Sequence, residues 1–371
     1  MKHNWEYKSW SQVLKIFNGK NQKAVENPNG LYPIYGSGGI MSYADDYICP
    51  ENCTIIGRKG NINNPMFVPS KFWNVDTAFG LSPNDELNPR FLYYFCKIYD
   101  FEKHNKATTI PSLVKNDLLK ISIPVPPMEV QEWIVEEFDK INEIIEDCRE
   151  LIRNLDILAD SLFYNFFGDP IANPKGFKLK KLGEIDEISS AKRVLVQDVV
   201  DNGIPFIRGT ELAYLSKQNS FDPSVFTMFI TPEHYERVKS ITGVPKPHDL
   251  LIPSINADGY IWEINTSEPL YFKDGRVLWV HVNHEVHSSK WLKFALSKII
   301  KEKYANLSRG AVFAELTLVF LRNLDIIVPP RSLQEEFATK VEQIEAQKKT
   351  VEETIANLQV LLDSRMDYWF N

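Results

Sequence analysis

Val125-Pro126-Pro127-Met128-Glu129-Val130-Gln131-Glu132 returns as Val328-Pro329-Pro330-Arg331-Ser332-Leu333-Gln334-Glu335, and the offset of 203 positions then holds without a gap to the C-terminus. At that offset Glu150, Ile152, Asn154, Leu155, Leu158, Asp160, Ser161 and Phe167 meet Glu353, Ile355, Asn357, Leu358, Leu361, Asp363, Ser364 and Phe370. A gap-free match of this length is a duplication. A weaker match at offset 172 aligns Trp5, Tyr7, Lys8, Trp10, Val13 and Ile16 with Phe177, Leu179, Lys180, Leu182, Ile185 and Ile188, and sets Lys20 on Lys192 and Pro33 on Pro205. The chain therefore reads as two globular units, 1–117 and 177–320, alternating with two copies of one segment, 118–176 and 321–371.

The repeated segment is helical by its spacing. Ile134, Phe138, Ile141, Ile145, Cys148, Ile152, Leu155, Ala159, Leu162 and Phe166 alternate steps of four and three, with charges between them, which is a heptad seam. In the second copy Phe337, Val341, Ile344, Val351, Ile355, Leu358, Leu362 and Trp369 take the matching places, interrupted by Lys348 and Arg365. The Pro-Pro pairs forbid a helix before them and permit one just after. Ser332 with Glu335 is a capping-box pattern, and Gly168 with Pro170 marks the end of the first helix. Each helix then spans about 33 to 38 residues, roughly 50 Å. Neither can hide its seam alone, so the simplest arrangement is an antiparallel pair, the alternative being an ordinary core helix in each of two domains. The expected fold is α/β (α+β): two globular units separated by two long helices packed as an antiparallel coiled coil, with pseudo-twofold symmetry.

Composition bounds the function. Hydrophobic residues at 44% with 8 Trp, 15 Tyr and 22 Phe supply cores and argue against disorder. No apolar run reaches 18 residues, and the opening MKHNWEYKSW lacks a signal-peptide core, so a cytoplasmic, membrane-free location is expected. The cysteines Cys49, Cys53, Cys96 and Cys148 are too few for a disulfide framework, and the Cys49–Cys53 spacing lacks a second pair, so no metal site is expected. The net charge of −7 sits on the helices: 118–176 holds 5 basic against 12 acidic residues, and 321–371 holds 6 against 9. The globular units hold 13 against 11 and 18 against 17, which permits a local basic face for nucleic acid.

Candidate reading residues cluster beside glycines. The first unit carries Tyr35-Gly36-Ser37-Gly38-Gly39 and Gly57-Arg58-Lys59-Gly60-Asn61-Ile62-Asn63; the second carries Lys192-Arg193, Arg208-Gly209-Thr210, Ser254-Ile255-Asn256 and Arg309-Gly310. Arg and Lys favour phosphates and guanine, Asn favours adenine, and the bland alternative is a set of solvated turns. Chemistry is not indicated. Val125-Pro126-Pro127-Met128 lacks the polar first and aromatic last residues of a methyltransferase tetrapeptide, and no Gly-rich cofactor loop, phosphate-cradling loop or HExxH motif occurs.

Ile-Pro-Val-Pro-Pro-Met-Glu-Val-Gln-Glu (123–132) and Ile-Ile-Val-Pro-Pro-Arg-Ser-Leu-Gln-Glu (326–335) resemble the conserved-region openings of the specificity (S) subunits of type I restriction-modification systems. Tyr32–Gly39, Ile56–Gly60, Phe72–Thr77 and Ala107–Leu113 are similar as well, so the likeness covers the whole chain. The second unit departs from the pattern, since Ser308–Phe313 lacks the usual proline and Ile207–Thr210 keeps only part of the loop. The resemblance implies a non-catalytic subunit of a DNA adenine methyltransferase and restriction complex. Two target-recognition domains would read a bipartite, gapped site on double-stranded DNA. The helices would dock two modification subunits and ATP-dependent restriction subunits, and S-adenosylmethionine, ATP and Mg would sit on those partners, with no cofactor here. The expected DNA contacts are Lys20, Tyr35, Ser37, Arg58, Lys59, Asn61, Asn63, Thr108, Lys192, Arg193, Arg208, Thr210, Asn256 and Arg309. The rival readings are a methyltransferase with embedded recognition domains and a coiled-coil adaptor with no DNA role.

Overall fold

A computed structural model describes residues 5–218, 221–307 and 314–371. Contacts divide the chain into two compact units, Met1–Ile152 with Thr350–Asn371, and Arg153–Lys349. In the first, β1 (Glu6–Ser9) and the short α1 (Trp10–Val13) lead to β2 (Leu14–Asn18), a hairpin of β3 (Tyr32–Gly36) and β4 (Gly39–Ala44), then β5 (Cys53–Gly57), β6 (Met66–Val68), β7 (Trp73–Asn74) and β8 (Ala78–Pro83). Helices α2 (Pro89–Ile98) and α3 (Lys115–Leu118), strand β9 (Ser122–Val125) and the start of α4 (Met128–Phe167) follow. The order β2-β8-β5-β6 forms an antiparallel sheet, β4-β3-β7 a second sheet with β3 and β7 parallel, and β1 pairs with β9. Every residue of β5 is buried, as its Cys-Thr-Ile-Ile-Gly sequence suits a strand covered on both faces. Pro89 opens α2, and the Asn88 side chain accepts from the Arg90 and Phe91 amides, which fixes the turn that sends Phe91, Leu92 and Phe95 into the core.

The second unit repeats this plan. It runs through β10 (Lys178–Lys181), β11 (Glu187–Ser190), β12 (Val199–Val200), β13 (Ile204–Ile207), α5 (Gly209–Gln218), β14 (Phe229–Ile230) and α6 (Pro232–Thr242). Then come β15 (Leu250–Pro253), β16 (Trp262–Glu263), β17 (Tyr271–Phe272), β18 (Val277–His281), α7 (Ser289–Leu307), α8 (Leu318–Arg322), β19 (Asp325–Val328) and α9 (Arg331–Phe370). Sheet β11-β18-β15-β16 answers β2-β8-β5-β6, and β13 runs parallel to β17 as β3 does to β7. The registers agree pair for pair. Glu6 faces Val125 as Lys178 faces Val328; Ile16 faces Leu81 as Ile188 faces Val280; Ile55 faces Gly80 as Leu251 faces Trp279. The fold is thus α+β with two domains joined by long helices.

Helices α4 and α9 each have 40 residues, about 60 Å, longer than their spacing predicts because each runs unbroken from the proline pair to its final phenylalanine. Each unit takes part of both, and within each unit the two run antiparallel. In the first, Trp133 packs on Trp369 and Phe138 on Phe370, while Ile134, Ile141 and Ile145 share a core with Ile355, Leu358, Leu362 and Met366. In the second, Leu155 and Ala159 pack with Ile344, and Phe163 and Phe167 with Phe337, which shares its core with Val341. Ile152 and Val351 are half-buried. The two charged interruptions are satisfied: Lys348 reaches Asp156, and Arg365 Nε sits 2.5 Å from Glu137 Oε1. Two expectations are corrected. Phe163 and Phe167 are fully buried while Leu162 and Phe166 are not, because α4 also meets Phe294 and Trp291 of α7. The second helix starts at Arg331, with the Pro330 carbonyl accepting from the Leu333 and Gln334 amides, so Ser332 lies inside the first turn and Glu335 pairs with Arg331 (3.0 Å).

Candidate nucleic-acid interface

Backbone hydrogen bonds gather four loops of the first unit at one end of its two larger sheets. The Val75 amide donates to the Tyr35 carbonyl (2.9 Å), the Arg58 amide to Thr77 (2.8 Å), the Leu113 amide to Arg58 (2.9 Å) and the Gly60 amide to Pro111 (3.0 Å). The Lys20 amide donates to Asn74 (3.0 Å), and the Trp73 indole to the Lys20 carbonyl. Glycines permit this crowding. A Cβ on Gly19 would lie 1.8 Å from the Val75 carbonyl oxygen, one on Gly57 2.1 Å from that of Asn61, and Gly60 has a left-handed φ of 79°.

The cluster brings Lys20, Ser37, Arg58, Lys59, Asn61 and Thr108 onto the neighbouring loops. Lys20, Lys59, Asn61 and Thr108 are exposed, and none of Lys20, Arg58 or Lys59 has a carboxylate partner among the described residues. Arg58 is held in place, its guanidinium 5.7 Å from the Phe79 ring centre and reaching the Asp76 carbonyl at 3.4 Å. Thr108 lies in a loop closed by Asn105, whose side-chain oxygen accepts from Ala107 and Ser112. Two residues stand apart. Tyr35 packs edge-on against Phe72 and its hydroxyl is pushed up by burial, so it belongs half to the core. Asn63 accepts from the Phe101 amide at 2.8 Å and so anchors the turn at 101–104.

The second unit brings two of its candidates, Arg208 and Thr210, to a groove of about 480 Å³ also lined by Pro253, Ser254, Lys273 and Arg276. Arg208 forks onto Glu211, with Nε 3.1 Å from Oε1, and Thr210 Oγ1 donates to the same carboxylate (3.0 Å). Burial opposes ionisation of Glu211, yet the hydrogen bonds from Arg208, its own backbone and Thr210 hold the carboxyl below the ordinary glutamate value. Lys192 and Arg193 are exposed, and the Lys192 amide donates to the Tyr271 hydroxyl (2.7 Å). Asn256 is 2% exposed and both ends of its amide close a turn on Tyr260, which removes it from the surface. Arg309 lies outside the described residues. Sequence reasoning missed Lys273 and Arg276, which flank the Asp274-Gly275 turn between β17 and β18.

It also missed the purpose of the glutamine in the repeated motif. Gln131 is fully buried: its Oε1 accepts from the Asn88 amide (2.7 Å) and its Nε2 donates to the Glu86 and Pro126 carbonyls (2.9 Å each). Gln334 repeats this with Ser288, Val286 and Pro329. Each long helix is thereby latched to the globular part of its own unit at its first turn.

Residues 2–154 match the type I restriction modification DNA specificity domain. A type I restriction enzyme specificity subunit of Haemophilus influenzae is 24% identical over 362 residues, which cover 94% of this chain and 89% of that protein. Residues 2–154 thus carry the DNA specificity domain of the type I restriction-modification family, and the chain is similar over nearly its whole length to type I specificity subunits. The EcoDI specificity subunit of Escherichia coli is 19% identical over 386 residues, 95% of this chain and 84% of its own length. The type I S subunit from M. genitalium shares the fold, with a TM-score of 0.56 at 17% identity over 99% of this chain and 96% of its own. A chain solved in work on assembly and conformational transition of the type I R-M system gives 0.61 at 18% identity, covering 98% and 96%. These relatives are specificity subunits, the non-catalytic components of type I restriction enzymes, and the matched domain implies DNA sequence recognition. No helix among the described residues is long and apolar enough to cross a membrane.

Proposed function

We propose that this specificity subunit reads a bipartite, gapped site on double-stranded DNA, with 1–117 and 177–320 as its two recognition domains and 118–176 and 321–371 as helical spacers. The observation that supports this most is the double occurrence of one loop cluster, built with the same strand registers and carrying cations in both units. One module of this kind reads one short stretch of sequence; two in one chain read two. Base pairs between the stretches go unread. The acidic helices dock two modification subunits, which supply S-adenosylmethionine, and through them restriction subunits using ATP and Mg; the chain itself holds no cofactor and acts in the cytoplasm. Lys20, Ser37, Arg58, Lys59, Asn61 and Thr108 contact DNA from the first domain, and Lys192, Arg193, Arg208 and Thr210 from the second.

Helix length then converts to DNA length. Four residues inserted where the helices pass from one unit to the other, after Ile152 and after Lys349, add about one turn, or about 6 Å. That is a little under two base pairs at roughly 3.4 Å each. The methylated motif, mapped genome-wide in cells carrying the insertions, should keep both half-sites and gain a longer gap. An unchanged gap, or altered half-site bases, refutes the spacer reading.

A further inference from the structure

The two units can be overlaid through their own hydrogen bonds, with no appeal to side chains. The Tyr35 carbonyl takes the Val75 amide at 2.9 Å as the Ile207 carbonyl takes Lys273 at 2.9 Å. Thr77 takes Arg58 at 2.8 Å as Arg276 takes Ser254 at 2.9 Å, and Arg58 takes Leu113 at 2.9 Å as Ser254 takes Leu316 at 2.7 Å. Strand registers give the same correspondence, since Gly57 faces Ala78 as Pro253 faces Val277. Ser254 therefore stands where Arg58 stands, Lys273 where Val75 stands, Arg276 where Thr77 stands, and Arg208 where Gly36 stands. The turn carrying Lys273 and Arg276 is one residue longer than 75–78, and the left-handed Gly275 (φ 66°) accommodates the extra residue.

Charge has thus moved from one loop to its neighbour. The first unit places its cations, Arg58 and Lys59, on the loop after β5; the second places Ser254 and Ile255 there and puts Lys273 and Arg276 on the neighbouring turn, which lines the same groove. An ordinary solvated lysine has no reason to keep to one site in a duplicated fold. Here no position retains its residue type, yet the site retains its positive charge. Arg208 cannot supply that charge alone, because the buried Glu211 neutralises it. Lys273 has no carboxylate partner among the described residues, and Arg276 is paired only with the exposed Glu315.

Resting on the DNA-reading proposal above, we infer that Lys273 and Arg276 are DNA-backbone contacts of the second recognition domain, supplying from the neighbouring turn the charge that Arg58 and Lys59 supply in the first. Phosphodiester oxygens are the ligand class that two adjacent cations at a groove rim recognise without regard to which loop carries them. Exposed Ile255, which lines the same groove, is free to meet a thymine methyl.

The test is a salt titration of the full chain with a fluorescein-labelled duplex of mixed sequence, read by anisotropy between about 50 and 200 mM salt. Each lost phosphate contact lowers the slope of log K against log salt by about 0.9. Lys273→Ala and Arg276→Ala should each lower it by about that amount and the double variant by about twice, while Lys178→Ala, on β10, leaves it unchanged. Far-ultraviolet circular dichroism and melting temperature should match the parent, since both side chains are exposed. A parent chain that binds with a clear salt slope, unchanged in the folded double variant, overturns this assignment and leaves the DNA-reading proposal standing. A parent chain with no salt-dependent binding overturns both.

Discussion

Asn256 commits its whole amide to one turn, whereas Asn61, in the matching loop of the first unit, stays in solvent. The two have equal standing in a sequence, where Asn beside glycine or serine reads as a base-edge donor, and only the fold around Tyr260 separates them. Lys59 keeps the exposure its glycine-flanked sequence suggests, while Arg58 is half-buried over the Phe79 ring. Reversing both, Arg58→Glu with Lys59→Glu, should weaken duplex binding and lower its salt slope by about two units' worth of contacts, roughly 1.8. Thermal melting run alongside separates this from a structural role, because Arg58 also covers the Phe79 ring. A folded variant with parental slope removes these two residues from the interface. Lys273 and Arg276 were not legible because their significance lies in sharing a groove with Ser254 and Arg208, a relation between loops far apart in the chain.

The long helices were the most legible elements, since a seven-residue repeat dictates a buried stripe whatever surrounds it. Their final phenylalanines were not, because α2 and α7 add a second packing direction that heptad counting leaves out. Short strands such as β7 and β17 have two residues each and exist through parallel pairing with β3 and β13, so no local pattern announces them. The Pro-Pro-x-x-x-Gln motif was visible as a helix start, but its glutamine acts through loops that follow β8 and β18. Gln131→Leu should strip three backbone groups, one buried and two partly buried, of their partner and cost on the order of 3 kcal/mol in urea unfolding of the first unit, since a buried group left unpaired costs about 1–3 kcal/mol. Gln334→Leu should do the same to the second. A loss below about 1 kcal/mol would show that water or a neighbouring group replaces the latch.

On the scale of the whole molecule, stability should carry a signature of Lys293 on α7. Burial pulls its amine from the ordinary 10.5 down to about 8, against the raising influence of Glu345 and Glu263. Below pH 8 the folded chain must hold a charge that burial disfavours. As pH rises from 8 toward 10.5 the folded state gives up its proton before the unfolded state does, so stability increases. Lys293→Met should accordingly stabilise most at pH 7.5, and the advantage over the parent should shrink by pH 9.5 in paired melts. A constant difference across that window rejects the buried-amine account. The division of the chain, for its part, bears on the order in which the molecule can be made. Arg153–Lys349 is one continuous stretch and has all its residues once Lys349 leaves the ribosome, but the other unit needs Thr350–Asn371 as well. Until then Phe91, Phe95 and Phe138 wait for Met366 and Phe370. The N-terminal unit, begun first, is completed after the second, and a ribosome that stops between Lys349 and Met366 releases a chain whose second unit is whole and whose first lies open along its aromatic core.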